Sequence, residues 1–327
     1  MQSDLRLYDN TRLSDYRRCP RYYFYRHVMH WKPVGRPSAA LVFGSSWHAA
    51  MDVVWQMCAE GHATPDVLDA AYEAFCKTWT AEGYPPISEM SLEDAQDLGA
   101  RTPGTAHEML MAYFEKREKM MRSSKILAVE RSFAVPLSSV DPKLFYIGRI
   151  DKILEVDSRR VRAIEHKTTT ATKKQGQRTK IRPLYMEGYS PNSQVDGYLF
   201  AMQLLYPHCK SDVWVDAVMV HKLDDDCQFI PIDRQIEHLD SWLFDTHSWI
   251  KQLETDMELL SSCGPEDRYM AAFPKNTGSC FDFNAACPFL KLCKSRPNPK
   301  GFEGVPTGYE VSVWDPLDHS GRPDELK

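Results

Sequence analysis

The sequence predicts an α/β fold, a central mixed β-sheet flanked by helices. Two observations carry this expectation. Apolar residues recur at helical spacing up to about residue 122, then alternate in strand fashion from Ile126 onward. A helix signal over 190–205 then separates that strand region from a further strand, an order that builds a sheet covered by helices. With 327 residues and 43% hydrophobic content, the chain can bury one large core with insertions or two modest ones.

The elements follow in chain order. Residues 1–30 turn from polar to aromatic and basic, with Ser14 expected to cap a short helix that Pro20 interrupts. Helices are expected over 44–60, 65–82 and 104–122, and a turn-rich acidic stretch over 83–102. Ile126–Val135, Leu144–Val156 and Val161–Thr168 read as strands, the last two joined by the turn Asp157-Ser158-Arg159-Arg160. Residues 171–187 read as a basic loop. Ser190-Pro191 reads as a helix start. Strands at Val213–His221 and Gln228–Ile232 precede a long amphipathic helix over 233–260 and an irregular stretch rich in Cys, Pro and Gly. The expected domain division is 31–125 as a helical region, 126–269 as the core, 1–30 with 270–300 as a cysteine-bearing region, and 301–327 as a tail.

Bulk properties narrow the function. A net charge of −5 argues against a protein that coats nucleic acid over its whole surface, and leaves room for a local basic groove. No apolar run reaches the roughly 20 residues a membrane span needs. Met1-Gln2-Ser3-Asp4 lacks the basic-then-apolar pattern of a secretory signal, so a cytoplasmic protein with reduced thiols is expected.

The chemistry concentrates on two strands. Asp151 lies in Gly148-Arg149-Ile150-Asp151-Lys152-Ile153, and Glu165-His166-Lys167 lies on the next strand. Alternation puts Glu165 and Lys167 on one face and His166 on the other. A plain two-residue turn at Ser158-Arg159 would set Asp151 opposite His166. For Asp151 to share the face of Glu165, an odd turn or a bulge must shift the register by one residue. Two such carboxylates can hold Mg²⁺ or Mn²⁺, and the lysine can orient water or stabilise charge on a phosphate. A surface charge ladder would also show one Asp and one Glu-x-Lys. The apolar flanks Ile150, Ile153, Ala163 and Ile164 favour the functional reading.

Asp151 followed by Glu165-x-Lys167 resembles the PD-(D/E)XK nuclease superfamily, whose core is restriction-endonuclease-like. Gly44-Ser45-Ser46-Trp47-His48 resembles the Gly-x-x-x-His motif of its RecB/AddB-like branch. Gln194-Val195-Asp196-Gly197-Tyr198 resembles the Gln-x-x-x-Tyr motif of the same branch. The resemblance implies His48, Asp151, Glu165 and the His166 carbonyl as ligands of one or two Mg²⁺ or Mn²⁺ ions. It implies Lys167, Gln194 and Tyr198 as catalytic partners.

Of the nine cysteines, Cys58, Cys76, Cys209 and Cys227 stand singly. Cys280, Cys287 and Cys293 group near the C-terminus, and Cys19 precedes Pro20 near the other end. Four thiolates suit either an iron–sulfur cluster or zinc. The set is similar to that of AddB-type and CRISPR-associated RecB-family exonucleases, which implies a [4Fe–4S] cluster bracing the chain ends. The Cys280–Cys287 spacing is longer than that family's Cys-x-x-Cys.

Lys173, Lys174, Arg178, Lys180 and Arg182 follow the Glu-x-Lys strand without an intervening acid, and are candidates to clamp a phosphate backbone. Arg17, Arg18 and Arg21 with Tyr22, Tyr23 and Tyr25 form a second mixture of cations and rings, expected to pack around the cysteines. The resemblance implies a DNA exonuclease acting on ends or single strands, in recombination, repair, phage DNA processing or CRISPR adaptation. The competing reading is a non-catalytic DNA-binding or assembly subunit. No Gly-x-x-x-x-Gly-Lys-Ser/Thr loop occurs, so a helicase partner would be a separate chain.

Overall fold

The computed structural model describes residues 5–282, 285–315 and 317. In chain order its strands and helices are β1 (Arg6–Tyr8), α1 (Asn10–Arg18), α2 (Pro20–Tyr23), β2 (Trp31–Pro33), α3 (Ala39–Ala59), α4 (Thr64–Ala81), α5 (Leu92–Leu98) and α6 (Pro103–Ser123). Then come β3 (Lys125–Pro136), β4 (Leu144–Asp157), β5 (Arg160–Thr169), β6 (Thr172–Gln175), β7 (Arg178–Ile181), α7 (Pro183–Glu187) and α8 (Ser193–Leu205). The chain continues through β8 (Lys210–Met219), β9 (Cys227–Ile232), α9 (Ile236–Ser262), α10 (Leu290–Ser295) and β10 (Tyr309–Val311). The end of the expected tail, 318–327, lies outside the described residues.

The chain forms two compact units. One comprises residues 36–131 and 149–235, the other 1–35, 132–148 and 236–327. Strands β3 and β4 therefore contribute residues to both.

The 36–131/149–235 unit holds the mixed sheet. β4 pairs antiparallel with β5, β5 parallel with β8, and β8 antiparallel with β9. One face carries Leu154, Ile164 and Val218, which join Trp47, Trp55, Phe75, Trp79 and Tyr113 of α3, α4 and α6 in a continuous apolar core. Helix α8 packs against β8. This is the helix-flanked mixed sheet that the change of period predicts.

In the other unit, β1 runs parallel to β4 over Leu144–Tyr146, and β2 pairs with β10. Gly148 belongs here: a Cβ on it would stand 2.7 Å from a ring carbon of Phe133. Any side chain at 148 would thus force the Phe133 ring off the strand that leads into Asp151.

Several boundaries differ from expectation, each for a local reason. Helix α1 starts at Asn10, because Asp9 caps it by accepting the Arg12 amide at 2.9 Å; Ser14 lies mid-helix. Cys19 is extended (φ −163°), so the helix does break before Pro20. Gly44 does not open its helix: α3 begins at Ala39 with Ser38 as cap. A Cβ at Gly44 would meet Thr168 Oγ1 at an ordinary 3.8 Å, so space alone does not demand glycine.

The acidic stretch contains α5, capped reciprocally by Ser91 and Asp94, a Ser-x-x-Asp box visible in the sequence. Helix α8 starts after Ser190-Pro191, with Asn192 accepting the amides of Gln194 and Val195. The basic segment 171–187 is not a loop but the hairpin β6–β7 followed by α7. Gly176 (φ +64°) takes the first of its two turn positions, where a positive φ is needed.

Candidate active site

The register of β4 against β5 decides the face of Asp151. Lys152 pairs with Ile164 and Glu155 with Val161, but Asp157 pairs with Arg160. The shift between Glu155 and Asp157 is a bulge that leaves Val156 as the extra residue. Continued past Lys152, this register sets Asp151 across from Glu165, on the face shared with Lys167. The bulge that the chemistry requires is present.

Around these strands the same unit gathers further groups. His48, one turn after Gly44 on α3, brings Nδ1 to 3.2 Å from Asp151 Oδ2. The same Asp151 oxygen accepts the His166 amide at 2.8 Å. Glu165 Oε1 accepts from Lys167 Nζ and, at 3.0 Å, from Gln194 Nε2. Gln194 Nε2 also lies 2.9 Å from the Tyr198 hydroxyl, which donates to the Arg149 carbonyl at 2.7 Å. The i, i+4 spacing on α8 thus ties Glu165 to the strand of Asp151. The His166 side chain is fully buried on the opposite face, Nδ1 3.4 Å from buried Asp216, which also accepts the Tyr113 hydroxyl.

One residue was missed by sequence reasoning. Glu130 of β3 joins His48 and Asp151 in a group whose ligand atoms all lie within 4.8 Å of one another. Its φ of +51° departs from strand geometry, an arrangement that costs about 1–3 kcal/mol and turns its carboxylate toward the site. Arg149 bonds that carboxylate at 2.6 Å. An acid beside Val129 and Arg131 gave no signal of its own, because strand alternation alone makes it an ordinary edge charge.

The electrostatics are those of a crowded anionic centre. Burial opposes ionisation of Asp151, but His48, His166 and Lys152 together outweigh it and hold the carboxyl well below its usual range. Burial and the Asp151 charge push Glu165 up. Burial, Asp151 and Asp52 push Glu130 up to about 7, against the pull of Arg149 and His48. Burial works against the charged forms of His48 and Lys167, yet both are raised by the carboxylates they face. Glu165 Oε2 is buried without a hydrogen-bond partner. An orphaned carboxylate oxygen of this kind costs on the order of 1–3 kcal/mol or more unless something compensates it.

The family model of the PD-(D/E)XK nuclease superfamily matches residues 10–294. The chain belongs to this superfamily. No curated protein matches the nuclease chain. Among solved structures it is similar to a candidate exonuclease from Eubacterium rectale, at 13% identity and a TM-score of 0.41, covering 75% of this chain and 77% of that one. It is also similar to SSO0001, at 14% identity and a TM-score of 0.25, covering 66% of this chain and 96% of that one.

The basic segment of the nuclease is exposed, but not uniformly free. Lys173, Lys174, Arg178 and Arg182 are exposed, whereas Lys180 is half-buried with Nζ 3.4 Å from Asp226. Asp224 and Asp226 accept the amides of Thr179 and Ile181 at 2.9 Å each, capping the edge of β7 in place of another strand. That is why so polar a segment is ordered into a hairpin.

In the other unit, Cys19, Cys280, Cys287 and Cys293 line one cavity of about 180 Å³, together with Arg18, Lys275 and Lys294. The Asn276 amide points at Cys19 Sγ from 3.4 Å. Burial pushes the thiols of Cys287 and Cys293 up, and neighbouring cysteines add to it. Of the three tyrosines expected around the cysteines, Tyr22 and Tyr25 pack here, whereas Tyr23 stacks on Phe273. Tyr22 and Tyr25 meet Phe289 with ring centroids 5.1 and 5.2 Å apart, and Arg18 sits 5.2 Å over Tyr22. Among the described residues no helix is long and apolar enough to cross a membrane.

Proposed function

We propose that the chain is a Mg²⁺- or Mn²⁺-dependent deoxyribonuclease that degrades single-stranded DNA from free ends. The carrying observation is the β4 bulge, which aligns Asp151 with Glu165 and Lys167 where a regular hairpin would not. His48, Asp151 and Glu130 offer one nitrogen and two carboxylates within 4.8 Å, and Glu165 adds an unpaired buried oxygen. That donor set fits a hard divalent cation, with the His166 carbonyl as a further ligand. Such an ion, when bound, supplies charge neutralisation at the phosphate and acidification of water.

The chain's own groups do the rest. Lys167 places its ammonium beside Glu165, where it can donate to a phosphoryl oxygen as negative charge builds. Gln194 and Tyr198 hold Glu165 in position relative to β4. Lys173, Lys174, Arg178 and Arg182 supply cations that would track the backbone of the incoming strand.

Cys19, Cys280, Cys287 and Cys293 are assigned as ligands of a [4Fe–4S] cluster that ties the segment around Cys19 to the C-terminal one, beside the buried rings of Tyr25 and Phe289. Support comes from their convergence on one cavity lined with cations, which suits an anionic cluster. A helicase, or a recombination or CRISPR-adaptation complex, would present the unwound strands.

The decisive experiment compares linear and circular single-stranded DNA with purified protein in Mn²⁺ or Mg²⁺. Linear DNA should be degraded, circular DNA should persist, and Asp151→Ala or Lys167→Ala should abolish degradation. Undiminished activity in both variants overturns the assignment. Hydrolysis of circles overturns the requirement for ends. DNA binding without hydrolysis by the unaltered chain would favour the non-catalytic reading.

A further inference from the structure

We infer that Tyr185 and Tyr189 form a nucleobase platform beside Lys167, so that the nuclease engages an unpaired base next to the phosphate it cuts. The inference rests on the proposed nuclease reading and adds to it what the site recognises. Residues 170–192 leave the catalytic strand just after Lys167 and return to the chain just before Gln194, so both ends of the insertion are fixed at the site. The base of its hairpin is closed by the Arg182 amide bonding the Ala171 carbonyl at 2.9 Å. Helix α7 follows at once, and Tyr185 packs against the buried cluster of Ile181, Ala217 and Met219. Ala217 is the β8 residue paired with Lys167, which places Tyr185 on the face of the catalytic lysine.

Tyr189 completes the pair. Its hydroxyl lies 2.7 Å from that of Tyr185, with ring centroids 5.4 Å apart and planes at 78°. Both rings are half-buried, so part of each remains open. Beside them stand Arg182, exposed, and Leu184, 67% exposed. Half-open rings, an apolar neighbour and basic residues make up the combination that single-stranded sites use: stacking for bases, cations for backbone. A base stacked within a duplex cannot reach such a ring without being unpaired.

The test is binding by the full chain in Ca²⁺ in place of Mg²⁺, to fluorescent single-stranded oligonucleotides of equal length with normal or fully abasic nucleotides. The unaltered protein should bind the base-containing strand roughly 5- to 150-fold more tightly, the range expected for stacking one base. Tyr185→Ala and Tyr189→Ala should remove that preference while leaving abasic affinity unchanged. Tyr185→Phe and Tyr189→Phe should retain it. Equal binding of both strands by the unaltered protein overturns the platform, and so does an equal loss on both strands in the alanine variants. Base preference without hydrolysis in Mn²⁺ would refute the nuclease reading alone. Hydrolysis without base preference would refute the platform alone.

Discussion

Asp52→Ala and Lys152→Met remove the two halves of one ion pair and should have very unequal consequences for stability. The Lys152 side chain is fully buried, 0% exposed, and bonds Asp52 Oδ1 at 2.7 Å; the Asp52 side chain is 27% exposed. Lys152 pairs with Ile164 on the face that packs on α3, α4 and α6, so its ammonium has little water to fall back on. Asp52→Ala leaves that ammonium uncompensated. Breaking a buried pair from one side costs about 3–5 kcal/mol, and the partial opening at Asp52 admits some water, which favours about 3 kcal/mol. That is roughly a 150-fold change in the folded-to-unfolded ratio. Lys152→Met removes the buried charge and keeps a similar volume, while the remaining Asp52 can still reach solvent. Its cost should lie within about 1 kcal/mol of zero. Urea unfolding followed by far-UV circular dichroism, in excess chelator, measures both. The double variant should regain most of what Asp52→Ala loses. If Lys152→Met is as damaging as Asp52→Ala, or the double variant is no better than Asp52→Ala, the uncompensated ammonium is not the cause.

Glu130 gives a pH prediction of defined sign. Its folded value, about 7, lies above its unfolded one, so it stabilises the metal-free chain fully below its unfolded value and loses that contribution as pH rises through about 7. Melting temperatures should fall over that interval in chelator, recover on adding Mn²⁺, and show no such fall in Glu130→Gln; a fall that persists in the variant assigns it elsewhere. Replacing Lys173, Lys174 and Arg178 together by alanine should lower the salt dependence of single-strand affinity by about 2 in log–log slope. Lys180→Ala should change that slope less, because Asp226 already holds its ammonium; anisotropy titrations over a range of salt decide. Serine in place of Cys19, Cys280, Cys287 or Cys293 should abolish bound iron and visible absorption in anaerobically purified protein, whereas Cys58→Ser should not. Iron content unchanged by all four variants would refute the cluster.

Some parts of the site were legible residue by residue. Glu165 and Lys167 share a face because strands alternate, and Gln194 and Tyr198 share one because a helix turns in 3.6 residues. The need for a bulge followed from counting residues between Asp151 and Glu165, and the bulge lies at Val156. The hairpin β6–β7 was not legible. Its residues are too polar to alternate, and the carboxylates that cap it come from Asp224 and Asp226, more than forty positions along the chain. Nor did the sequence mark where α3 and α8 begin, since several Ser, Asn and Pro residues compete for each cap.

The sequence by itself determined the mixed sheet, the strand pair of Asp151 and Glu165, and the one-residue shift that sets them on one face, because hydrophobic period and chain spacing are local properties. Only the tertiary structure brought Glu130 beside His48 and Asp151, buried Lys152 against Asp52, and gathered Cys19 with three cysteines from the far end of the chain. These arrangements depend on a positive φ within a strand and on pairings between distant segments. Neither leaves a periodic trace in the residues that take part.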